Sequence, residues 1–201
     1  VELMIIKSEV IAGLILSGGE SSRMGIAKHT LVYHQQPQIL HLTTLLKEFL
    51  SEVYISGNTE HPTDKKTKTI PDQFDFKGPL NGILSALIAI KNKALLVIPA
   101  DMPAIDHNTI QLLISKRNPE KYATCFFNQA IPGPEPLFAI WEPGAEKIMR
   151  DYMLDGNRSV KGLIQEINIE LINPDNENIF TNINTPEEYQ LWLKNKPNQN
   201  N

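Results

Sequence analysis

The feature that most constrains the fold is a short apolar run that ends in paired glycines. Residues Val10 to Leu16 are apolar or small, and Ser17, Gly18 and Gly19 follow them. A run of this length, bounded by turn residues, is typical of a strand buried on both faces of a parallel sheet. The sequence therefore predicts an α/β fold, in which helices cover both sides of such a strand.

Apolar runs alternate with amphipathic stretches along the rest of the chain. We therefore predict a Rossmann-like, doubly wound, mostly parallel sheet with helices on both faces. The predicted strands are 10–16, 52–57, 68–71, 94–98, 122–127, 136–141 and 170–172, and the predicted helices are 37–49, 79–90, 108–117, 143–154, 160–166 and 186–193. No long linker divides the sequence, so we expect a single domain over residues 1–201 with a disordered tail at 194–201.

Composition argues against several classes of function. The formal net charge of −4 gives no overall attraction to nucleic acid or to an anionic membrane. Cys125 is the only cysteine, which excludes a disulfide framework or a zinc cluster and suits a reducing compartment. No apolar run approaches the roughly 20 residues of a membrane span, and the first ten residues lack the core of a signal peptide. We expect a cytoplasmic protein.

The segment from Leu16 to Lys28 is the first candidate for ligand binding, because ligands of open α/β sheets bind at the carboxyl ends of strands. Its paired glycines let the backbone approach an anion, and Arg23 and Lys28 add the positive charge that a triphosphate requires. Its spacing matches neither G-x-x-x-x-G-K-[ST] nor G-x-G-x-x-G, which disfavours a Walker loop and a dinucleotide-binding dehydrogenase. An ordinary strand-to-helix turn is the alternative.

Three further segments are less specific when each is taken alone. Asp101 follows a predicted buried strand and suits Mg²⁺, which prefers carboxylates combined with phosphate oxygens, although a turn aspartate is an equal alternative. The segment Gly78 to Gly82 begins a helix whose N-terminus favours negative charge, or is a plain helix start. Asn182 and Asn184 place two amides on one side of an extended segment, or simply lead into the helix that Thr185 caps.

No histidine or cysteine is a persuasive nucleophile or base. Cys125 lies between apolar neighbours and is interpreted as a core residue. The five histidines lie in predicted loops or helices and are interpreted as surface residues: His29, His34, His41, His61 and His107.

Taken in order, the four segments resemble the molybdenum cofactor guanylyltransferase family, within the wider set of nucleotidyltransferases. That family has a Leu-[Ala/Ser]-Gly-Gly loop followed by Arg-Met-Gly and Lys, then Gly-Pro-Leu-x-Gly, Asp-[Met/Thr]-Pro and Asn-x-Asn-Thr-Pro-Glu-[Glu/Asp]. Each pattern occurs here in the same order, between Leu16 and Glu188. The resemblance implies a Rossmann-like fold and transfer of GMP from GTP to molybdopterin, with Mg²⁺ and release of pyrophosphate.

The resemblance also implies a role for each matching residue. Lys28, Arg23 and Asp101 are similar to the catalytic residues, and Asp101 is also similar to the magnesium ligand. Asn182 and Asn184 resemble acceptor-binding residues. The residues that resemble the nucleotide-binding set are Leu16, Ser17, Gly18, Gly19, Lys28, Ser56, Asp72, Pro79, Leu80, Gly82 and Asp101.

Two positions depart from the family pattern. Ala27 stands where the family usually carries an acidic residue, and Ser56 stands where it commonly has an asparagine. Two alternatives stay open: a cytidylyl- or sugar-phosphate nucleotidyltransferase of the same fold, and a non-catalytic relative that binds nucleotide or cofactor. From the resemblance we expect GTP and molybdopterin as substrates, transient contact with cofactor-delivery proteins, and a monomer or weak oligomer.

Overall fold

The strands and helices follow the predicted order in a computed structural model that describes residues 8–17, 31–57 and 67–195. The strands are β1 (Ile11–Leu16), β2 (Val53–Ser56), β3 (Lys68–Ile70), β4 (Ala94–Pro99), β5 (Ala123–Asn128), β6 (Gly133–Trp141) and β7 (Ile169–Ile172). The helices are α1 (Gln38–Phe49), α2 (Pro79–Ile90), α3 (His107–Ser115), α4 (Ala145–Leu154), α5 (Val160–Glu166) and α6 (Pro186–Asn195). A 3₁₀ helix at Glu177–Phe180 was not predicted. No helix in the described part of the chain is long and apolar enough to span a membrane.

Within the described residues these strands form one sheet, in the order β3-β2-β1-β4-β6-β5-β7. All except β6 run in the same direction, and β6 is antiparallel to both of its neighbours. β1 lies between β2 and β4. The chain passes from β1 to β2 and β3 on one side, and then crosses to β4 on the other side of β1. Its carboxyl end is therefore a topological switch point, the place where ligands bind in open α/β sheets.

Alternate residues of β1 pack into two separate hydrophobic clusters. Ile11 and Ile15 belong to the cluster that contains α1 and α3, whereas Ala12 and Leu14 belong to the cluster that contains α2, α4 and α5. All six residues of the strand are buried. Burial on both faces explains why the strand is an uninterrupted apolar run.

Helix α1 packs closely on β1 at a glycine. A Cβ atom at Gly13 would lie 3.0 Å from Leu46 Cδ1 and 3.1 Å from Leu50 Cδ1. The helix also buries two polar side chains, Gln38 and Thr43. Neither the side-chain amide of Gln38 nor the hydroxyl of Thr43 has a hydrogen-bond partner among the residues that the structure describes.

The second half of the sheet contains the reversed strand. β5 and β6 form a hairpin, with a change of register between Cys125 and Phe127. Because β6 runs against β4, the tip of this hairpin lies at the same edge as the carboxyl ends of the parallel strands. At the opposite end of β6, two nitrogens of Arg117 donate to the two carboxylate oxygens of Glu142, each at 2.7 Å. Such a bidentate pair fixes both partners in a defined orientation.

Helix α6 is attached to the segment that precedes α1. Tyr33 is buried and packs edge to face against Tyr189 and Trp192, with ring centroids 5.2 and 6.4 Å away. The Tyr189 hydroxyl donates to the carbonyl oxygen of Val32 at 2.9 Å. These contacts bring the last helix back to the switch-point edge of the sheet.

Candidate active site

The strands β3, β2, β1 and β4 are neighbours in the sheet. Their carboxyl ends are joined by hydrogen bonds that continue past the paired residues of the strands. The Ser17 hydroxyl donates to the carbonyl oxygen of Ser56 at 2.6 Å. The Gly57 N–H donates to the carbonyl oxygen of Ile70 at 3.0 Å, and the N–H of residue 100 donates to that of Leu16 at 3.1 Å. The structure therefore brings Leu16, Ser17 and Ser56 together at one edge, and all three belong to the set that resembles nucleotide-binding residues.

Helix α2 approaches this edge through Gly82. A Cβ atom at residue 82 would overlap Ser56 Oγ and would lie 3.3 Å from Leu16 Cδ2, so a larger residue there would force its neighbours to shift. Ser56 is only 4% exposed, which places its side chain against the helix. Pro79 stands in the first turn of α2, and Leu80 is fully buried in the cluster beneath it. Leu80 thus supports this wall of the site from the core.

The loop that carries Asp72 is tied to α2 by a buried asparagine. Asn81 Nδ2 donates to the carbonyl oxygens of Phe74 and Phe76, both at 2.7 Å, and Asn81 Oδ1 accepts from the Phe74 N–H at 3.3 Å. Burial raises the pKa of the Asp72 carboxyl above its ordinary value. Asn81 is not among the predicted site residues, although a polar side chain inside an apolar helical stretch is a signal that the sequence contains.

Asp101 lies beside the segment near the C-terminus that the sequence analysis placed in the same site. Its main-chain carbonyl oxygen accepts a hydrogen bond from the Ile183 N–H at 2.9 Å. Ile183 is buried, whereas Asn182 is exposed and Asn184 is partly exposed. This alternation fits an extended segment whose two amides project away from the core.

A capping box fixes the end of that segment. The Glu188 carboxylate accepts from the N–H groups of Asn184 at 2.6 Å and Thr185 at 3.0 Å, while the Thr185 hydroxyl accepts from the Glu188 N–H at 3.2 Å. The reciprocal bonds satisfy donors at the start of α6 and confirm Thr185 as its cap. The main chain at Asn184 is held in place as a result.

The donor set around Asp101 suits a metal shared with a substrate. Among the described residues, no three His, Cys, Asp or Glu side chains come together to form a protein-only metal site. Mg²⁺ is usually bound by one or two carboxylates together with phosphate oxygens of the substrate. The Asp101 carboxylate supplies an oxygen ligand of this kind, and Asn182 and Asn184 flank the residue that is hydrogen-bonded to the Asp101 main chain.

A cavity of about 270 Å³ lies between the β5–β6 hairpin and the start of α5. Its lining includes Pro79, Glu135, Arg158 and Lys161. Burial raises the pKa of Glu135; the nearby charge of Lys161 opposes this change, and that of Asp101 adds to it. The cavity therefore lies within electrostatic reach of Asp101. The charged residues of this cavity are not among the predicted site residues, because no local sequence pattern indicates that the hairpin and the start of α5 line the same cavity.

The lining of a larger cavity, of about 930 Å³, includes Asn182, Ile183 and Glu188. His34 and His41 stack on its wall with ring centroids 3.9 Å apart, and both are partly buried rather than on the surface. His29 and His61 lie outside the described residues. Cys125 is fully buried, and burial raises the pKa of its thiol to about 12, so its interpretation as a core residue is confirmed.

Part of the predicted site belongs to segments that the structure does not describe. Gly18, Gly19, Arg23 and Lys28 lie outside the described residues, and so does Ala27. Their roles stay predictions that the sequence motif supports.

Comparison with known proteins identifies the family. The sequence model for the MobA-like NTP transferase domain matches residues 13–170, which is most of the chain. The chain belongs to the MobA-like NTP transferase family. Membership confirms the nucleotidyltransferase class that the sequence motifs imply.

Relatives of this MobA-like chain carry names that agree with the family. A molybdenum cofactor biosynthesis bifunctional protein of Synechocystis sp. is 30% identical over 180 residues, which cover 88% of this chain and 52% of that protein. The chain thus spans about half the length of that relative. A probable molybdenum cofactor guanylyltransferase of Clostridium perfringens (strain SM101 / Type A) is 31% identical over 192 residues, which cover 90% of this chain and 96% of the relative.

The MobA-like fold is also found in a solved structure. Molybdopterin-guanine dinucleotide biosynthesis protein A from Archaeoglobus fulgidus matches with a TM-score of 0.74 and 19% identity, over 91% of this chain and 97% of that chain. At this identity the likeness concerns the fold alone, and it confirms the predicted α/β class.

Proposed function

We propose that this chain transfers GMP from GTP to molybdopterin and releases pyrophosphate. The observation that carries the proposal is the 2.9 Å hydrogen bond from the Ile183 N–H to the Asp101 carbonyl oxygen. It joins two motifs that are distant in the chain at the edge where β1 also ends. The name of the relative from Clostridium perfringens supports guanylyl transfer and this acceptor.

In this proposal, the nucleotide lies across the switch point. Its base side rests on Ser56, Asp72 and Gly82. In support, Gly82 of α2 packs on Ser56 of β2, and Asn81 and Ser85 of the same helix bind the loop that follows Asp72. Its triphosphate lies between the end of β1 and Asp101. Lys28 and Arg23 supply positive charge to the phosphates, and the main-chain amides after Leu16 donate to them.

The reaction is an in-line displacement at phosphorus. An oxygen of the terminal phosphate of the acceptor forms a bond to the α-phosphorus of GTP, and the bond from that phosphorus to the bridging oxygen of the β-phosphate breaks. Pyrophosphate leaves with the bonding electrons. A phosphate oxygen is already a nucleophile, so the chain needs no general base, and its contribution is to position the reactants and neutralise charge.

Asp101, with Asn182 and Asn184, is the set that would hold Mg²⁺. When bound, the metal supplies positive charge to phosphate oxygens as charge develops on them. Asp101 follows β4, and the hydrogen bond from the Ile183 N–H fixes its main chain at this edge of the sheet.

Two substitutions test the assigned roles. Asp101→Ala and Lys28→Ala should each lower turnover by roughly 10²–10³-fold, the usual loss on removal of one preorganised electrostatic group. Their thermal unfolding midpoints should stay close to that of the wild type. Asp151→Ala and Lys147→Ala are matched controls, since these residues form an exposed pair at 3.3 Å on α4. Near wild-type turnover in either test variant rejects the role of that residue.

A competition series separates guanylyl transfer from the alternatives. Pyrophosphate release is measured with acceptor present and with GTP, CTP, UTP or ATP as the donor. Preference for GTP supports the proposal, and preference for another nucleotide supports a different nucleotidyltransferase of this fold. Tight binding of a triphosphate without pyrophosphate release supports a non-catalytic relative.

A further inference from the structure

Helix α2 buries two polar side chains among apolar ones. Asn81 and Ser85 lie four residues apart on the helix, and both are fully buried. Their neighbours in this cluster, such as Ile83 and Leu84, are apolar. A buried polar side chain costs free energy unless it is hydrogen-bonded, so packing against the sheet alone does not explain these two residues.

The two side chains together bind the loop that follows β3. Asn81 donates to the carbonyl oxygens of Phe74 and Phe76 at 2.7 Å, and accepts from the Phe74 N–H at 3.3 Å and from the Ser85 hydroxyl at 3.0 Å. Ser85 Oγ accepts from the Gln73 N–H at 2.9 Å, and the Gln73 side-chain amide donates to the Ser85 carbonyl oxygen at 3.2 Å. The main chain of the loop is thus held by side chains of the helix.

The loop and the helix each contribute a wall of the proposed nucleotide site. Asp72 directly precedes Gln73, and Gly82 directly follows Asn81. The hydrogen bonds of Asn81 to Phe74 and Phe76, together with that of Gln73 to Ser85, therefore set the distance between the loop that follows Asp72 and the helix that carries Gly82. Hydrogen bonds to main-chain atoms define this distance more sharply than apolar contacts, which tolerate sliding.

We propose that Asn81, acting with Ser85, is a positioning residue that holds the Asp72 loop in the arrangement required to bind a nucleoside triphosphate. The inference rests on the proposed function, because it concerns how one wall of that site is built. Asn81 touches no substrate in this proposal. Its effect reaches the nucleotide through Asp72.

The test compares polar and apolar substitutions on the same helix of the full chain. Asn81→Ala is paired with Ile83→Ala, and the milder Ser85→Ala is paired with Ile83→Val. Each Ile83 variant removes buried contacts without removing a hydrogen bond to the loop. Steady-state kinetics with GTP give KM and kcat, and hydrogen exchange measures protection of the Gln73 and Phe74 main-chain amides.

We expect Asn81→Ala to raise the KM for GTP by about tenfold, the change produced by the loss of roughly one net hydrogen bond, with kcat within about twofold of wild type. Ser85→Ala should change KM in the same direction and to a smaller extent. Both should speed amide exchange at Gln73 and Phe74, whereas the Ile83 variants should not. The double variant should raise KM by less than the product of the two single effects, because the two residues act in one network.

Two results overturn the inference. One is unchanged KM and unchanged exchange at the loop in both Asn81→Ala and Ser85→Ala. The other is an equal rise of KM in the paired Ile83 variants, which would assign the effect to general loss of stability. Failure of the wild-type chain to bind any nucleoside triphosphate instead rejects the proposed function, and the exchange measurement still shows whether Asn81 holds the loop.

Discussion

The two helices that cover β1 bury polar side chains with opposite outcomes. On α1, the Gln38 amide and the Thr43 hydroxyl are buried without a hydrogen-bond partner among the described residues. On α2, Asn81 and Ser85 are buried to the same degree, and both are hydrogen-bonded to the loop after β3. The difference indicates that α2 is built around a polar loop at the ligand-binding edge, while α1 is built around an apolar face.

The glycines where α1 and α2 contact the sheet, Gly13 and Gly82, also differ in what surrounds them. Gly13 faces the methyl groups of Leu46 on α1 and of Leu50 directly after it, which are the ends of flexible side chains. Gly82 of α2 faces Ser56, whose Cβ would lie 3.2 Å from an added Cβ. A methyl group added at Gly13 would therefore be accommodated by a small shift of leucine side chains. A methyl group added at Gly82 would instead move α2 away from β2.

The largest effect on stability is expected for Asn81→Ala. The change leaves the Phe74 and Phe76 carbonyl oxygens without their donor and should lower the free energy of unfolding by about 3 kcal/mol. Urea denaturation measures it, with Thr43→Val on α1 as the control that removes a polar group without breaking a described hydrogen bond. A loss below about 1 kcal/mol would remove the contrast between the helices.

Gly82→Ala is expected to be next. Overlap with Ser56 should lower the free energy of unfolding by about 2 kcal/mol and weaken GTP binding, since the helix wall must move. Gly13→Ala, the matched change on the α1 side, should cost about 1 kcal/mol or less and leave GTP affinity unchanged. Denaturation and calorimetric titration of both variants check the prediction, and equal effects on affinity would contradict it.

A gain of stability is expected on α1. Gln38→Met keeps a side chain of similar length and removes the buried amide, so it should raise the free energy of unfolding by about 1 kcal/mol. The same experiment on Asn81→Met should give a loss. A loss of stability in Gln38→Met would contradict the prediction, because it would show that the Gln38 amide makes a stabilising interaction.

The smallest effect concerns the pH dependence of stability. Burial raises the pKa of Asp72 above its ordinary value of 3.8. A carboxyl group whose pKa is raised in the folded state contributes stability below the ordinary pKa and loses it as the pH rises through the folded pKa. Ionised Asp72 therefore destabilises the chain at neutral pH.

Asp72→Asn removes that charge. The variant should be more stable than the wild type at pH 7 by less than about 1 kcal/mol, because the group is partly exposed and screened by solvent. The difference should shrink as the pH falls below the ordinary value. Urea denaturation across this pH range gives the difference between the two chains, and a difference that is constant with pH would contradict the assignment.

The fold was predictable where burial leaves a local pattern. β1 is buried on both faces, so its apolar run and the glycines after it identify a strand and its end. Once the strands are taken as parallel, their carboxyl ends must share an edge. A shared edge predicts that Asp101 and the Asn182–Asn184 segment lie close together, and the hydrogen bond from the Ile183 N–H to the Asp101 carbonyl oxygen joins them.

Other features depend on contacts that the sequence does not reveal. The reversal of β6 was not predicted, because the periodicity of a strand carries no information about its direction. The role of Asn81 depends on where the loop after β3 lies, which is set by tertiary packing. The stack of His34 on His41 likewise joins a loop to a helix face. The contribution of Lys28 stays a prediction from the motif.

The reversed strand has a consequence for how a fold of this kind diversifies. Since β6 runs against its neighbours, the tip of the β5–β6 hairpin lies beside the cavity that contains Glu135 and Lys161. A hairpin tip can gain or lose residues at small entropic cost and without rebuilding a crossover helix. Natural variation confined to that turn can therefore change the shape of the cleft on this side without changing strands β1 to β4.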